Sequence, residues 1–252
     1  MNATFQGTWQ LNKETNRQST SAETGGETRG ETAARSYERV SSKYDRTIAV
    51  FTGGQNLATR LAQLDEMQPG DRVLYVGVGS GEDAIEAARK GVKVTCLDLS
   101  AGMVEKGRER FAKAGLTGEF VCADIMKYSP QEPFDAVTAN FFLNIFTRPV
   151  MEQVLARTVG LIRPGGKLLI ADFARPRGSL LLRILHRAFH DTSNIIYWSM
   201  GLCPLHPIYI YSDYFPRLGL TLKNARQFRL FWKGPWVFEA TTAVKAQSTK
   251  SE

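Results

Sequence analysis

The feature that most constrains this sequence is a glycine-rich turn directly after a short apolar run. Residues 73–81 read VLYVGVGSG, and a helical pattern begins at Glu82. A strand that ends in glycines and leads into a helix brings free backbone N–H groups to a point with little side-chain bulk. This pattern predicts a turn that binds a nucleotide-type cofactor, with Gly77, Gly79 and Gly81 as its cradle. The alternative is an ordinary tight turn.

Around this turn, short apolar runs alternate with helical patterns. This rhythm predicts βαβ units and a doubly wound, Rossmann-like α/β sheet. Near the end of the chain, runs at 220–231 and 236–244 flank a Lys-Gly-Pro turn and predict a closing antiparallel hairpin. The other predicted strands are 73–78, 92–97, 120–122, 134–139 and 167–173, and helices are predicted to begin at Glu82, Ala101 and Pro149.

Composition divides the chain into one domain with polar ends. Between Asn12 and Ser36 there is no Val, Ile, Leu, Met, Phe, Trp or Tyr, so burial cannot offset the entropy of ordering this stretch. We therefore predict a disordered tail over 1–36, a catalytic domain over 37–246, and a disordered tail over 247–252. Residues 175–215 are predicted to form an insertion that faces substrate or membrane.

Two carboxylates are placed to complete the cofactor site. Asp98 closes the strand after the glycine turn, roughly 20 residues on, where a carboxylate can accept from both ribose hydroxyls. Beyond the third strand, Asp124 can accept from an adenine amine while Ile125 covers the ring. The alternatives are a solvated strand end for Asp98 and a turn-capping loop aspartate for Asp124. The spacing between the glycine turn and Asp98, taken alone, also suits an NAD-binding site.

The three strand ends together resemble those of class I methyltransferases, which bind S-adenosylmethionine. The segments 98–103 (DLSAGM) and 163–167 (RPGGK) are similar in particular to the ubiquinone and menaquinone methyltransferases. The resemblance covers residues 37–244 and implies S-adenosylmethionine as cofactor. It also implies that Leu99, Met103 and Asn140 contact the cofactor.

Tyr75 departs from the pattern of that superfamily. Its members usually carry Asp or Glu two residues before the first glycine, where the acid supports the amino end of the cofactor. Such an acid would raise the pKa of the cofactor amine above its free value of about 8, so its absence favours an uncharged, nucleophilic amine. The alternative is a tolerated change in a permissive pocket.

Four short segments resemble the rhodoquinone-biosynthesis enzymes: 75–81 (YVGVGSG), 140–144 (NFFLN), 205–209 (LHPIY) and 234–236 (GPW). This resemblance implies conversion of ubiquinone to rhodoquinone, with a ring methoxy group replaced by an amino group from S-adenosylmethionine. It also implies a requirement for manganese, although the sequence shows no metal-ligand motif. Tyr75 would then keep the amine uncharged, and His206, which lies between two prolines, would carry protons.

Alternatives to this function remain open at this point. One is a conventional methyltransferase acting on a quinone or phenolic lipid. Another is a non-catalytic scaffold in a quinone-biosynthesis assembly. For His206 itself, a purely structural histidine is the alternative.

The segment 179–190 combines apolar and basic residues at helical spacing. Such a helix is typical of the membrane interface, although a helix packed on the sheet would show the same pattern. The net charge of +7 favours acidic partners, and the three cysteines show no CxxC spacing, which fits a reducing compartment. We therefore expect a cytoplasmic protein at the periphery of the inner membrane. Its expected partners are ubiquinone and an anionic membrane surface, and no nucleic acid. The predicted apolar face is Leu181, Leu182, Leu185 and Phe189, and the predicted basic face is Arg183, His186, Arg187 and His190.

Overall fold

The computed structural model describes residues 52–79, 81–200, 204–231 and 234–247. The predicted tail 1–36, the predicted start of the domain at Tyr37 and the last residues of the predicted tail 247–252 lie outside these ranges. Over the described ranges, no helix combines the length and the apolar character that a bilayer span requires.

The described residues form a mixed sheet flanked by helices. Its strand order is β3-β2-β1-β4-β5-β7-β6, with β1 to β5 parallel and β7 antiparallel to both β5 and β6. The strands are β1 Arg72–Val76, β2 Lys93–Asp98, β3 Glu119–Cys122, β4 Phe134–Asn140, β5 Ile162–Phe173, β6 Leu220–Arg229 and β7 Trp236–Lys245. The helices are α1 Gln55–Leu61, α2 Glu82–Arg89, α3 Ala101–Lys113, α4 Arg148–Gly160 and α5 Leu180–Ser199.

The predicted α/β sheet with a terminal hairpin is therefore confirmed. One boundary differs, because β5 begins at Ile162 and not at Lys167. The Arg-Pro-Gly-Gly segment at 163–166 is included in the strand, with a register shift where β4 and β5 pair. Gly165 nevertheless has a φ of 74°, the positive value that a type II turn requires at this position.

Alternation along β1 sends side chains to two separate cores. Leu74 and Val76 pack in the core beneath α4, whereas Val73 and Tyr75 pack in the core beneath α2. The strand order reverses between β1 and β4, and in open α/β sheets a ligand crevice lies at that point, beyond the carboxyl ends of the strands. The glycine turn after β1 opens into this crevice.

Helix α5 exposes most of its apolar residues and buries part of its predicted basic face. The basic face predicted for 179–190 is split, because His186 and His190 are buried while Arg183 and Arg187 are exposed. With Ser193 and Asn194, the two histidines form a polar inner face. We define the outer face of α5 as its exposed apolar residues Leu180, Leu181, Ile184, Leu185, Ile195, Ile196 and Trp198.

Candidate cofactor and acceptor site

The glycine turn has the backbone geometry of a cradle. Gly77, Gly79 and Gly81 have φ values of 60°, 55° and 70°, a region that favours glycine. A Cβ on Gly77 would lie 2.3 Å from Cδ2 of Phe142, so this glycine makes room for a side chain of the protein itself. A Cβ on Gly79 would have no atom closer than the Gly77 carbonyl oxygen, at 3.9 Å. Gly79 thus faces open space in which a ligand can approach the backbone.

Asp98 lies beside this turn, at the end of β2. The two segments are joined directly, since the Gly77 amide donates to the Leu97 carbonyl oxygen over 2.9 Å. One oxygen of Asp98 accepts from the Ser100 amide, and Ser100 in turn caps α3 by accepting from the Met103 amide. These bonds fix the carboxylate at the crevice edge. Leu99 is half-exposed next to it, whereas Met103 is buried.

The two residues predicted to bind the cofactor after β3, Asp124 and Ile125, have different surroundings in the structure. Asp124 accepts from the Met126 amide over 2.9 Å, which is the turn-capping role given above as its alternative. Ile125 is buried in the core beneath α4, so little of its surface remains to cover an adenine ring. The roles of both residues in cofactor binding stay predictions, and the half-exposed Met126 is the apolar side chain available there.

Tyr75 is a core residue, not a wall of the open crevice. It is 2% exposed, and its hydroxyl lies 3.5 Å from the carbonyl oxygen of Asp83 and 3.6 Å from the sulfur of Met67. Burial raises the pKa of the Tyr75 phenol well above its usual value, so the group stays neutral. This side chain therefore supports the first turn of α2, and the predicted effect of Tyr75 on the cofactor amine stays a prediction.

An acid that the sequence analysis missed lies close to the turn. Asp83, in the first turn of α2, is 3% exposed, with the Arg60 Nη1 3.0 Å away and the Asn140 Nδ2 2.8 Å away. The Asn140 Oδ1 accepts from the Ala171 backbone amide at 3.1 Å, so the Asn140 side chain connects α2, β4 and β5. Acidic charge is thus present on α2 instead of at position 75, and Arg60 pairs with both Asp83 and the neighbouring Glu82. An acid in a first helical turn is so common that it gave no signal.

A second missed acid lies at the carboxyl end of β5. The buried carboxylate of Asp172 accepts from the Tyr211 hydroxyl at 2.6 Å, the Asn144 Nδ2 at 2.9 Å and the Phe173 amide at 2.7 Å. Burial raises the pKa of Asp172 to about 7. Beside it is a cavity of about 90 Å³, which we call the Asp172 pocket. Its walls include Ile170, Asp172, Phe173, Tyr209, Tyr211 and Glu239.

His206 lies next to this pocket and not among its walls. It is buried, its Nδ1 is 3.1 Å from the Pro207 carbonyl oxygen, and its ring stacks at 6.2 Å on the ring of Tyr209. Burial lowers the pKa of His206, which favours the neutral ring. Its predicted role as a proton carrier therefore stays a prediction. The implied manganese finds no dedicated site, since no group of three or more His, Cys, Asp or Glu in the described ranges could hold a metal ion.

Known proteins share parts of this sequence and its fold. Residues 73–166 match a sequence family described as methyltransferase domain. Magnesium protoporphyrin IX methyltransferase from Synechocystis, solved with S-adenosylhomocysteine, superposes with a TM-score of 0.64 over 87% of this chain and 100% of its own, at 14% identity. The chain has the class I methyltransferase fold. The [4+2]-cyclase SpnF has this fold too, with a TM-score of 0.58 over 77% of this chain and 82% of its own, at 17% identity.

Relatives of higher identity are quinone methyltransferases. Demethylmenaquinone methyltransferase of Clavibacter sepedonicus is 33% identical over 150 residues, which is 58% of this chain and 60% of that protein. The ubiquinone/menaquinone biosynthesis C-methyltransferase of Azotobacter vinelandii is 31% identical over 159 residues, 60% of this chain and 62% of its own length. The chain thus spans about 60% of the length of these relatives. The predicted similarity to quinone methyltransferases is confirmed over this part of the class I methyltransferase fold.

Proposed function

We propose that this chain binds S-adenosylmethionine at the glycine turn and transfers a group from it to the ring of a quinone or phenolic lipid. The observation that carries this proposal is that the glycine turn, Asp98 and the Asp172 pocket all lie at the carboxyl ends of strands β1, β2 and β5 of one sheet. Methyl transfer is the first candidate reaction, because the relatives named above are quinone methyltransferases.

The residues of the turn suit this cofactor. Gly79 leaves space for close approach, the amides at the start of α2 can face its carboxylate, and Asp98 can accept from its ribose hydroxyls. When bound, S-adenosylmethionine supplies an electrophilic methyl group on a sulfonium. The protein's part is to hold that group beside the acceptor ring.

Replacing Asp98 with alanine should weaken S-adenosylmethionine binding by about 1 to 3 kcal/mol, because the ribose hydroxyls lose a charged acceptor. Isothermal calorimetry measures this directly. Asp71→Ala, at the opposite end of β1, is the matched control and should leave the affinity as it was. Equal affinities for Asp98→Ala and the parent chain would remove Asp98 from the site.

Amino transfer to form rhodoquinone is the second candidate, and one feature favours it. Tyr75 stands in the usual place of an acid, and the two acids at the start of α2, Glu82 and Asp83, are both paired with Arg60, so neither carboxylate is left unpaired beside the amino end of the cofactor. The amine would then have a lower pKa than an unpaired carboxylate would give it, which favours its uncharged form. An uncharged amine can add to the ring carbon that bears a methoxy group, and the methoxy group then leaves as methanol. To release an aminoquinone, the bond between this nitrogen and the α-carbon of the methionine part must break as well.

Isotopic labels decide between the two reactions. The purified chain is given S-adenosylmethionine labelled either in the S-methyl group or in the amino nitrogen, with short-chain ubiquinone or its analogue lacking the ring methyl group. The expected result for methyl transfer is a product that carries the methyl label only. A product that has lost methoxy and gained heavy nitrogen assigns amino transfer instead. If the cofactor binds but neither label is transferred, with or without manganese, both reactions are wrong.

The acceptor's tail resides in a bilayer, and we propose that the outer face of α5 docks there. Leu180, Ile184 and Trp198 are 71%, 55% and 54% exposed, an arrangement that is unfavourable in water alone. Arg183 and Arg187 are exposed on the same helix, where they would face anionic headgroups. Apolar side chains with flanking arginines fit an anionic membrane surface better than a nucleic acid.

Charge reversal tests this docking. Arg183→Glu combined with Arg187→Glu should weaken binding to phosphatidylglycerol-containing vesicles by about 2 kcal/mol or more, because each arginine near the surface contributes about 1 kcal/mol. Leu181→Ser with Ile184→Ser should weaken binding to neutral and anionic vesicles alike. Arg108→Glu, exposed on α3, is the control. Equal sedimentation of all variants with vesicles would show that α5 does not dock.

A further inference from the structure

The carboxylate of Asp172 is held without a positive partner. Its three donors are the Tyr211 hydroxyl, the Asn144 amide and the Phe173 backbone N–H, and all three are neutral. A buried carboxyl group whose hydrogen-bond donors are all neutral is costly as an anion, and it can accept a proton without breaking an ion pair. This differs from Asp83, whose charge is paired with Arg60.

Asp172 also lies close to the cofactor crevice. The Asn140 side chain, which donates to Asp83 beside the glycine turn, accepts from the amide of Ala171, one residue before Asp172. Two hydrogen bonds thus connect the first turn of α2 to the strand end that carries Asp172. The Asp172 pocket opens at that strand end.

The surroundings of Asp172 contain an unused acceptor. The Oδ1 of Asn144 is buried and has no hydrogen-bond partner among the described residues, although its Nδ2 is bonded to Asp172. Buried polar atoms usually have partners. A ring hydroxyl of a bound acceptor would supply the missing donor.

We propose that the Asp172 pocket receives the ring oxygens of the acceptor, and that Asp172 takes up the proton the acceptor loses, with Tyr211 as the connecting hydroxyl. This inference rests on the proposed function. The ring hydroxyl gives its proton to Tyr211 while Tyr211 passes its own to Asp172. The electron-rich ring then attacks the cofactor methyl carbon, and the carbon–sulfur bond breaks with its electron pair left on sulfur. Attack through a ring carbon gives the keto form, which returns to the hydroxyl form by a proton shift.

Several ionisable groups face Asp172 and belong to its titration. Tyr209 and Tyr211 come from the segment between α5 and β6, Glu239 comes from β7, and Arg175 and Arg177 come from the segment after β5. Burial holds the pKa of Asp172 at about 7, so it can exchange protons near neutral pH.

The first test is a pH profile of single-turnover methyl transfer to a short-chain ubiquinol that lacks the ring methyl group. The parent rate should rise with pH through an inflection near 7 and then level off. Asp172→Asn should lower the plateau about 100-fold or more and abolish the inflection, within the range that general base catalysis contributes. Asp65→Asn, exposed and paired with Arg226, is the control and should keep both rate and profile. A parental profile in Asp172→Asn would overturn the inference while leaving the proposed function intact.

The second test does not depend on turnover. Calorimetric binding of the same quinol in buffers of different ionisation enthalpy measures protons exchanged at pH 7. The parent chain should exchange protons on binding, and Asp172→Asn should not. Tyr211→Phe, which removes one oxygen, serves if Asp172→Asn fails to fold, and it should also reduce the exchange. Failure of the quinol to bind the parent, or equal exchange in every variant, would overturn the inference. Binding with proton exchange but no transfer of any label would overturn the proposed function alone.

Discussion

Replacing Gly77 with alanine should lower the free energy of unfolding by about 2 to 5 kcal/mol, although only one methyl group is added. An L-residue held at a φ of 60° costs about 1 to 2 kcal/mol. The new Cβ would also lie 2.3 Å from Cδ2 of the Phe142 ring, and overpacking of this kind costs about 1 to 3 kcal/mol. Urea denaturation, followed by circular dichroism, measures the total.

The same turn supplies a control. Gly79→Ala has a similar φ but no atom in its way, so it should cost only about 1 to 2 kcal/mol of stability. Its methyl group would instead point into the open space of the crevice and lower cofactor affinity by about tenfold or more, which is about 1.4 kcal/mol. In a double-mutant cycle, Gly77→Ala should cost less when Phe142 is already alanine. Equal stability losses for Gly77→Ala and Gly79→Ala would contradict this division of roles.

Replacing Arg60 with methionine should destabilise the chain by about 3 to 5 kcal/mol. The Arg60 side chain is mostly buried against the almost fully buried Asp83, and its loss leaves that carboxylate without its counter-charge. Methionine keeps most of the packing volume, so the measured loss in denaturant unfolding reports mainly the charge.

A second substitution should reverse most of this loss. Asp83→Asn in the Arg60→Met background removes the uncompensated charge and still offers an acceptor to Asn140. Arg89→Met breaks an exposed ion pair with Glu86 and should cost less than about 1 kcal/mol. If the double variant were as unstable as Arg60→Met, packing and not charge would explain the effect.

The parts of this molecule that the sequence predicts are those specified by neighbouring residues. The glycine turn, the alternation of strands and helices, and the terminal hairpin each follow from local chemistry, and all are present in the structure. Asp98 lies where its spacing placed it, at the end of β2 beside the turn.

The two buried acids could not be predicted in the same way. Asp83 forms an ion pair with Arg60, 23 positions earlier, and Asp172 accepts a hydrogen bond from Tyr211, 39 positions later. Their partners are brought together only by tertiary packing, which no local pattern records. Tyr75 shows the converse: its position in the motif was read correctly, but β1 alternation turns its side chain into the core beneath α2.

Helix α5 shows a third limit of sequence patterns. Periodicity identifies two faces of a helix, and the usual rule places the apolar face inside. Here the polar face lies inside, because α5 covers the aromatic Phe173 with His190, whose ring meets it edge-on at 4.9 Å. A histidine ring can pack as an aromatic group or carry a charge, and the residues that it packs against determine which of the two occurs.

The inverted orientation of α5 also sets where the fold opens first. The buried residues of this helix, His186, His190, Ser193 and Asn194, are all polar, and the partly buried Phe189 adds aromatic contacts to Phe173 and Phe238. Segments with few buried apolar contacts open below the global unfolding free energy. Burial lowers the pKa of His190, and that of His186 to about 4. The opened segment therefore binds more protons than the closed one as pH falls from about 6.5 toward 4, and acid favours opening. Mild acidity would thus loosen one helix of the chain before the sheet beneath it.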